Sequence, residues 1–183
     1  INSNTITGSS GQNAVEISRG SSATIKSNTI QSAYIGISVQ DSSHAILKNN
    51  TVNSNSNSGL YVDNNASAIL AEGNTFSYNS NYGISLWLGG SLNMWCDAQL
   101  TSATTISDNT QGAINVNSGS IANLCNLSLS SPLKGINTGL RAMLNLKNFT
   151  ITNSQDDAVH LWGAKGWIDN ATITGSSNAG IRV

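Results

Sequence analysis

With 183 residues, eight Lys and Arg against nine Asp and Glu, and a formal net charge of −1, the chain is long enough for one packed domain and lacks the cationic surplus that nucleic acid or an acidic membrane attracts. Only 9% of residues are charged, yet 38% are hydrophobic, too many for a disordered linker. No apolar run approaches the roughly 18 residues of a membrane-crossing helix, so neither nucleic acid nor membrane insertion is expected.

Taken from the N-terminus, the apolar segments recur in step with asparagine. One column runs Asn4, Asn28, Asn50, Asn74, Asp97, Asn126, Asn148 and Asn170, at a nearly constant interval with one longer step between Asp97 and Asn126. Roughly half a repeat later, in most repeats, comes a small residue followed by an apolar, a variable and an apolar one. These segments begin at Ala14, Gly36, Gly59, Gly83, Ala113, Gly139, Ala158 and Gly180. Such alternation marks short strands with one buried face, and the three-and-four spacing of helices is missing. One coil cannot close a core, so neighbours must stack about 4.8 Å apart. Val15, Ile37, Leu60, Ile84, Ile114, Leu140, Val159 and Ile181 are expected to form one internal file.

The Asn column fits a tight turn, because Asn tolerates the left-handed conformation and stacked amides bond from coil to coil. These two columns resemble the repeats of the pectate-lyase-like superfamily of right-handed parallel β-helices. The resemblance implies an all-β solenoid with three sheets separated by turns, one turn carrying an Asn ladder. The predicted fold is a right-handed parallel β-helix of about eight coils, about 22–24 residues each with one longer coil, forming a single domain over residues 1–183. No polar capping element is evident at Ile1 or at Val183, so the expectation is a piece of a longer solenoid.

Cys96 and Cys125 immediately precede Asp97 and Asn126, which places them in one column on adjacent coils, within disulfide reach. A disulfide and the low charge suit a secreted, cell-surface or periplasmic setting. N-glycosylation sequons at Asn49, Asn65, Asn126, Asn148 and Asn170 are read as by-products of an Asn-rich repeat, because a glycan on the ladder would break the stack.

Chemistry is expected on an outward face. The phase of the strands puts Glu16, Ser38, Tyr61, Ser85, Asn115, Arg141, His160 and Arg182 in one outward file, with Gln40, Asp63, Trp87, Asn117 and Trp162 two positions further on. In related enzymes this sheet forms the polysaccharide cleft. Arg141, Trp162, Arg182, Tyr61 and Trp87 are therefore the expected substrate-binding residues, for arginine pairs with carboxylate and rings pack on sugar faces. The expected partner is an acidic polysaccharide. The segment 154–159, with Asp156 and Asp157, resembles the paired-aspartate segment of the polygalacturonases, which implies Asp156, Asp157 and His160 as catalytic residues. The chain departs from that family where it reads Asn137, Thr138, Gly139, in place of an Asp before the glycine, and Asn178, Ala179, Gly180, in place of a His flanked by glycines. Whether a bond is cleaved, by a lyase or a glycoside hydrolase, stays open. No cofactor is expected, and Asp63, Asp156 and Asp157 are too dispersed to define a calcium site.

Two further readings rest on other features. Thr5, Thr29, Thr51, Thr75, Gln99, Ser128, Thr150 and Thr172 form a file resembling the ice-binding faces of β-solenoids. Alternatively the chain is a structural segment of an adhesin, surface layer or fibre. There, the apolar excursion Trp87, Leu88, Gly89, Gly90, Met94 and Trp95 would meet neighbouring domains or subunits.

Overall fold

A computed structural model describes residues 1–94, 96, 102–130 and 133–183. Trp95, Asp97, Gln99 and Pro132 lie outside the described residues.

Every strand pairing is parallel and joins each strand to its counterpart one repeat later, which makes the chain a parallel β-helix. Three faces wrap a single core. Face A starts with strands Thr5–Thr7, Thr29–Gln31, Thr51–Asn53, Thr75–Ser77 and Thr104–Ser107; face B carries eight strands from Val15–Ile17 to Ile181–Arg182; face C starts with Ser22–Lys26, His44–Lys48, Ser67–Leu70 and Ser91–Met94. Eight strands on face B enclose seven complete turns. In the upper coils the strands Ile121–Ser130, Met143–Thr152 and Lys165–Thr174 run round the corner from face C into face A.

The register explains the rhythm of the sequence and corrects it in one region. Along face A, Thr5, Thr29, Thr51, Thr75, Thr105, Ser128, Thr150 and Thr172 are neighbours, so Thr105 rather than Gln99 fills the fifth place. The long coil is equally long on all three faces: Thr75 pairs with Thr105, Ile84 with Ile114 and Leu92 with Ala122. Its extra residues must therefore lie in the shared interval between Leu92 and Thr105. The segment Trp87 to Gly90 is no excursion but the ordinary turn from face B to face C, with Trp87 and Leu88 exposed and Ser91 pairing with Ser67.

The internal file is Val15, Ile37, Leu60, Ile84, Ile114, Ile136, Val159 and Ile181. Leu140, expected in it, is 57% exposed, and Ile136 takes its place. Ile136 keeps the period even from Ile114 to Ile181, whereas Leu140 would require an uneven rhythm. The glycines that open the face B strands at positions 36, 59, 83 and 135 are required by space: a Cβ on Gly36 would meet the Gly59 carbonyl oxygen at 2.7 Å.

Asparagine closes the corners of the lower coils. Asn28, Asn50 and Asn74 are buried, and each accepts through Oδ1 from both the backbone N–H and the side-chain amide of the Asn one coil earlier. A second ladder, at the other margin of face A, runs Asn55, Asn79, Asn109 in the same geometry. Asn126, Asn148 and Asn170 form a different stack. Their φ angles near 51° place them level with Ser27 and Asn49, one residue before the buried ladder, and among the described residues their side-chain amides bond to each other.

Cys96 and Cys125 are joined by a disulfide with Cα atoms 5.6 Å apart. The register pairs Asn93 with Asn123, so the two cysteines are offset by one residue rather than directly opposed.

Candidate functional site on face B

The outward file of face B runs Glu16, Ser38, Tyr61, Ser85, Asn115, Asn137, His160 and Arg182. Asn137 occupies the place expected for Arg141. The shift follows from the same slip that misplaced Leu140: strand Lys134–Thr138, not the segment after Gly139, is the rung below His160. Arg141 sits instead in the turn that follows, at φ 61°, with its N–H bonded to the Gly163 carbonyl of the next coil.

Much of this file is closed to solvent. Ser38, Ser85 and Asn115 are buried and satisfied by neighbours: Gln40 Nε2 donates to Ser38 Oγ at 2.7 Å, Ser58 Oγ to Ser85 Oγ at 3.2 Å, and Asn137 Nδ2 to Asn115 Oδ1 at 3.0 Å. The reactive side chains therefore collect at the two ends of the sheet. The expected binding residues do not form one site.

At the upper end, Asp157 is buried to 3% exposure just before its strand. Its Oδ2 receives Arg182 Nε at 2.9 Å, its Oδ1 accepts the Ala179 N–H at 3.1 Å, and His160 Nδ1 stands 3.9 Å from Oδ2. Both oxygens are thus engaged, so Asp157 acts as a positioning residue that fixes Arg182 across a coil boundary. Asp156 is half-buried. It accepts from Asn178 Nδ2 at 3.1 Å and faces Lys134 Nζ at 3.9 Å. The Asn178 amide foremost, with the charges of Lys134 and Arg182 behind it, holds the Asp156 carboxyl below its ordinary range. Trp162 is 61% exposed at the strand's exit. Its N–H bonds to Thr138 Oγ1, and that hydroxyl donates to the His160 carbonyl. Arg141 and Lys165 line a groove of about 520 Å³ beside Gly163.

Lys134 and Asn178 are neighbours of Asp156 that sequence reasoning missed. Asn178 lies one coil period beyond Asp156, which was the available signal; Lys134 becomes visible only once Gly135 is taken as the strand opener.

At the lower end, the Tyr61 hydroxyl donates to Asp63 Oδ2 at 3.1 Å. Burial foremost, then the Asp63 charge and hydrogen bond, pushes the phenol up to about 12. Trp87 follows Asp63 in the column Gln40, Asp63, Trp87, Asn117, Gly139, Trp162, so three rungs separate the two tryptophans, roughly 14 Å.

Residues 1–120 match the family model described as right-handed beta helix region. The chain belongs to the right-handed β-helix family. The match and the solenoid topology together support the pectate-lyase-like architecture expected from the repeats. No curated protein and no solved structure matches the chain. The family model ends before the His160 cluster, so the family match bears on the scaffold and not on that end of face B. In the corrected register of this β-helix, the residue before the glycine of the preceding coil is Lys134, still not the Asp of the polygalacturonase pattern. Among the described residues no three His, Cys, Asp or Glu side chains gather in a metal-holding group.

Proposed function

We propose that, within the carbohydrate-associated or structural range that the β-helix fold supports, the upper end of face B binds an acidic polysaccharide without cleaving it. The observation that carries this reading is Arg182, held through Nε by the buried Asp157 while its side chain stays 47% exposed beside His160. A guanidinium has five N–H donors, and contact through Nε uses one, so the rest remain available to a uronate carboxylate in a preset orientation. Trp162, on the same face, offers an exposed ring for a sugar, and Arg141 and Lys165 extend the positive charge around Gly163. Binding alone is favoured because a general acid needs a raised pKa. Asp156 is held low, and Asp157 has both oxygens occupied. The disulfide and the low charge suit a secreted, cell-surface or periplasmic location.

Titration with oligogalacturonides tests this reading. Arg182→Ala should weaken binding about tenfold or more, as expected when a charged hydrogen bond is lost, with no release of reducing ends by the parent protein. Unchanged affinity in Arg182→Ala, or product formation by the parent, removes it.

Thr105 favours a second reading. With it, face A presents two outward files: seven threonines and Ser128 in one, and Thr7, Gln31, Asn53, Ser77, Ser107, Ser130, Thr152 and Thr174 in the other. The array is uncharged and repeats about every 4.8 Å along the axis and about 6.8 Å along the strand, a template suited to ordered water. Absence of thermal hysteresis at high protein concentration would discard ice binding.

A further inference from the structure

We infer that the lower end of face B is a second carbohydrate site, which takes a neutral hexose unit and disfavours a uronate. The site is a groove of about 450 Å³ across the first three coils, within the range of small-ligand pockets. Its lining includes Asn13, Tyr34, Gln40, Asn57, Tyr61 and Asp63.

The fold builds the two walls from the two margins of the sheet. Gln12, Tyr34 and Asn57 are stacked in the turn that enters face B, Tyr34 N–H bonding to the Gln12 carbonyl and Asn57 N–H to the Tyr34 carbonyl, both at 2.8 Å. Gln40 and Asp63 belong to the column that leaves the sheet, and Tyr61 lies on the strand between. The groove thus holds the rings of Tyr34 and Tyr61, brought together from adjacent coils, with primary amides on one side and a carboxylate with an amide on the other.

This is the donor and acceptor set that a neutral sugar uses. Tyr34 is exposed and presents a ring for an apolar sugar face. Among the described residues Asp63 receives the Tyr61 hydroxyl at Oδ2 and the Asn64 N–H at Oδ1, which leaves lone pairs for sugar hydroxyls. Asn13, Gln40 and Asn57 supply amides that both donate and accept. Charge decides against a uronate. Among the described residues, Asp63 is the one acidic or basic side chain in the lining; Glu16, bonded to Asn13 at 3.0 Å, adds a second carboxylate beside that amide, and no Lys, Arg or His lines the groove. The two ends of one sheet therefore carry opposite selectivity. The inference stands independently of the acidic site, since the groove shares no residue with the Arg182 cluster.

Binding of cellohexaose and mannohexaose, followed by calorimetry on the full chain, tests it, with Tyr34→Ala, Asp63→Asn and Arg182→Ala compared and circular dichroism confirming that each variant is folded. Tyr34→Ala and Asp63→Asn should each weaken the neutral oligomer about tenfold or more, while Arg182→Ala leaves it unchanged. Asp63→Asn should also relax the discrimination against oligogalacturonide at this end, read in an Arg182→Ala background. The inference is overturned if neither neutral oligomer binds, if both groove variants bind as the parent does, or if Arg182→Ala alone abolishes neutral binding. Failure of oligogalacturonide binding with retained neutral binding would remove the acidic site and leave this one standing.

Discussion

The lower coils, residues 1–94, and the upper coils, residues 121–183, turn the same corner between faces C and A in two chemical ways. Lys48, Asn49, Asn50, Thr51 and Lys147, Asn148, Phe149, Thr150 are equivalent in length and register, and Asn49 and Asn148 share a left-handed backbone, φ 55° and 51°. The residue after the turn points inward in both. In the lower coils it is a buried amide that satisfies the N–H of the coil before; in the upper coils it is Phe149 or Leu127, filling the same space with hydrocarbon. The second corner repeats the contrast, with Asn55 and Asn79 below, continued by Asn109, and Ser154 and Ser176 above, whose hydroxyls have no partner among the described residues. The left-handed residue fixes the path of the chain, and the inward position then accepts either a polar ladder or an apolar filler. The Cys96–Cys125 disulfide joins the two regimes.

If the comparison is correct, the largest loss comes at that joint. Replacing both cysteines by serine should cost about 3 kcal/mol, the usual value for closing a loop of this length, measured by denaturant unfolding. A loss below about 1 kcal/mol would show that the coils on either side hold each other without it. Next comes the ladder itself. Asn50→Ala leaves the Asn28 N–H and the Ile25 carbonyl without their buried partner and should cost about 1–3 kcal/mol, whereas Asn148→Gly, which keeps the left-handed backbone and removes only an exposed amide, should cost less than about 1 kcal/mol. Equal losses would abolish the distinction between the two corners. Ser154→Ala removes a buried hydroxyl with no partner among the described residues and should be neutral or stabilise by up to about 1 kcal/mol. A destabilisation of the same size would reveal a bonded hydroxyl.

The same contrast explains how much can be read from the chain alone. The period, the parallel solenoid and the lower columns are legible because Asn28, Asn50 and Asn74 sit on one inward file and advertise it. Above the long coil, Asn126, Asn148 and Asn170 belong to the neighbouring file, and aligning them with the lower set conceals a one-residue shift. The pair Gly139–Leu140 resembles a strand opener because Leu140 is apolar, but Gly135–Ile136 keeps the even period, and only the backbone pairing decides between them. That choice moves Arg141 off the sheet and puts Asn137 in its place. At the site, the placement of Arg182 beside His160 on the outward file is legible from the coil period. The groove around Tyr34 is not, because it assembles two turn columns and one strand, and no single periodicity spans all three.

The two ends of face B should also part company in their response to pH, the smallest of these effects and the most local. At the upper end Asp156 is held below its ordinary value, chiefly by the Asn178 amide. Its contribution to stability is present above the carboxyl's unfolded pKa and is lost as pH falls through the lower, folded one. At the lower end Tyr61 is raised from 10.0 to about 12, chiefly by burial. Its contribution is present below 10.0 and is lost as pH climbs through about 12. Acid therefore probes one end and alkali the other. Asn178→Ala should move the Asp156 carboxyl resonance upward in an NMR titration, toward 3.8, and leave the Tyr61 tyrosinate absorbance where it was. Asp63→Asn should do the reverse, lowering the Tyr61 transition only part of the way because burial, its larger cause, survives the substitution. An Asp156 titration that does not move when Asn178 is removed would mean that the Asp157 N–H, with the charges of Lys134 and Arg182 behind it, holds its charge. The hydrogen bond from the Asn178 amide to the Asp156 carboxylate would then be a packing contact with no electrostatic consequence.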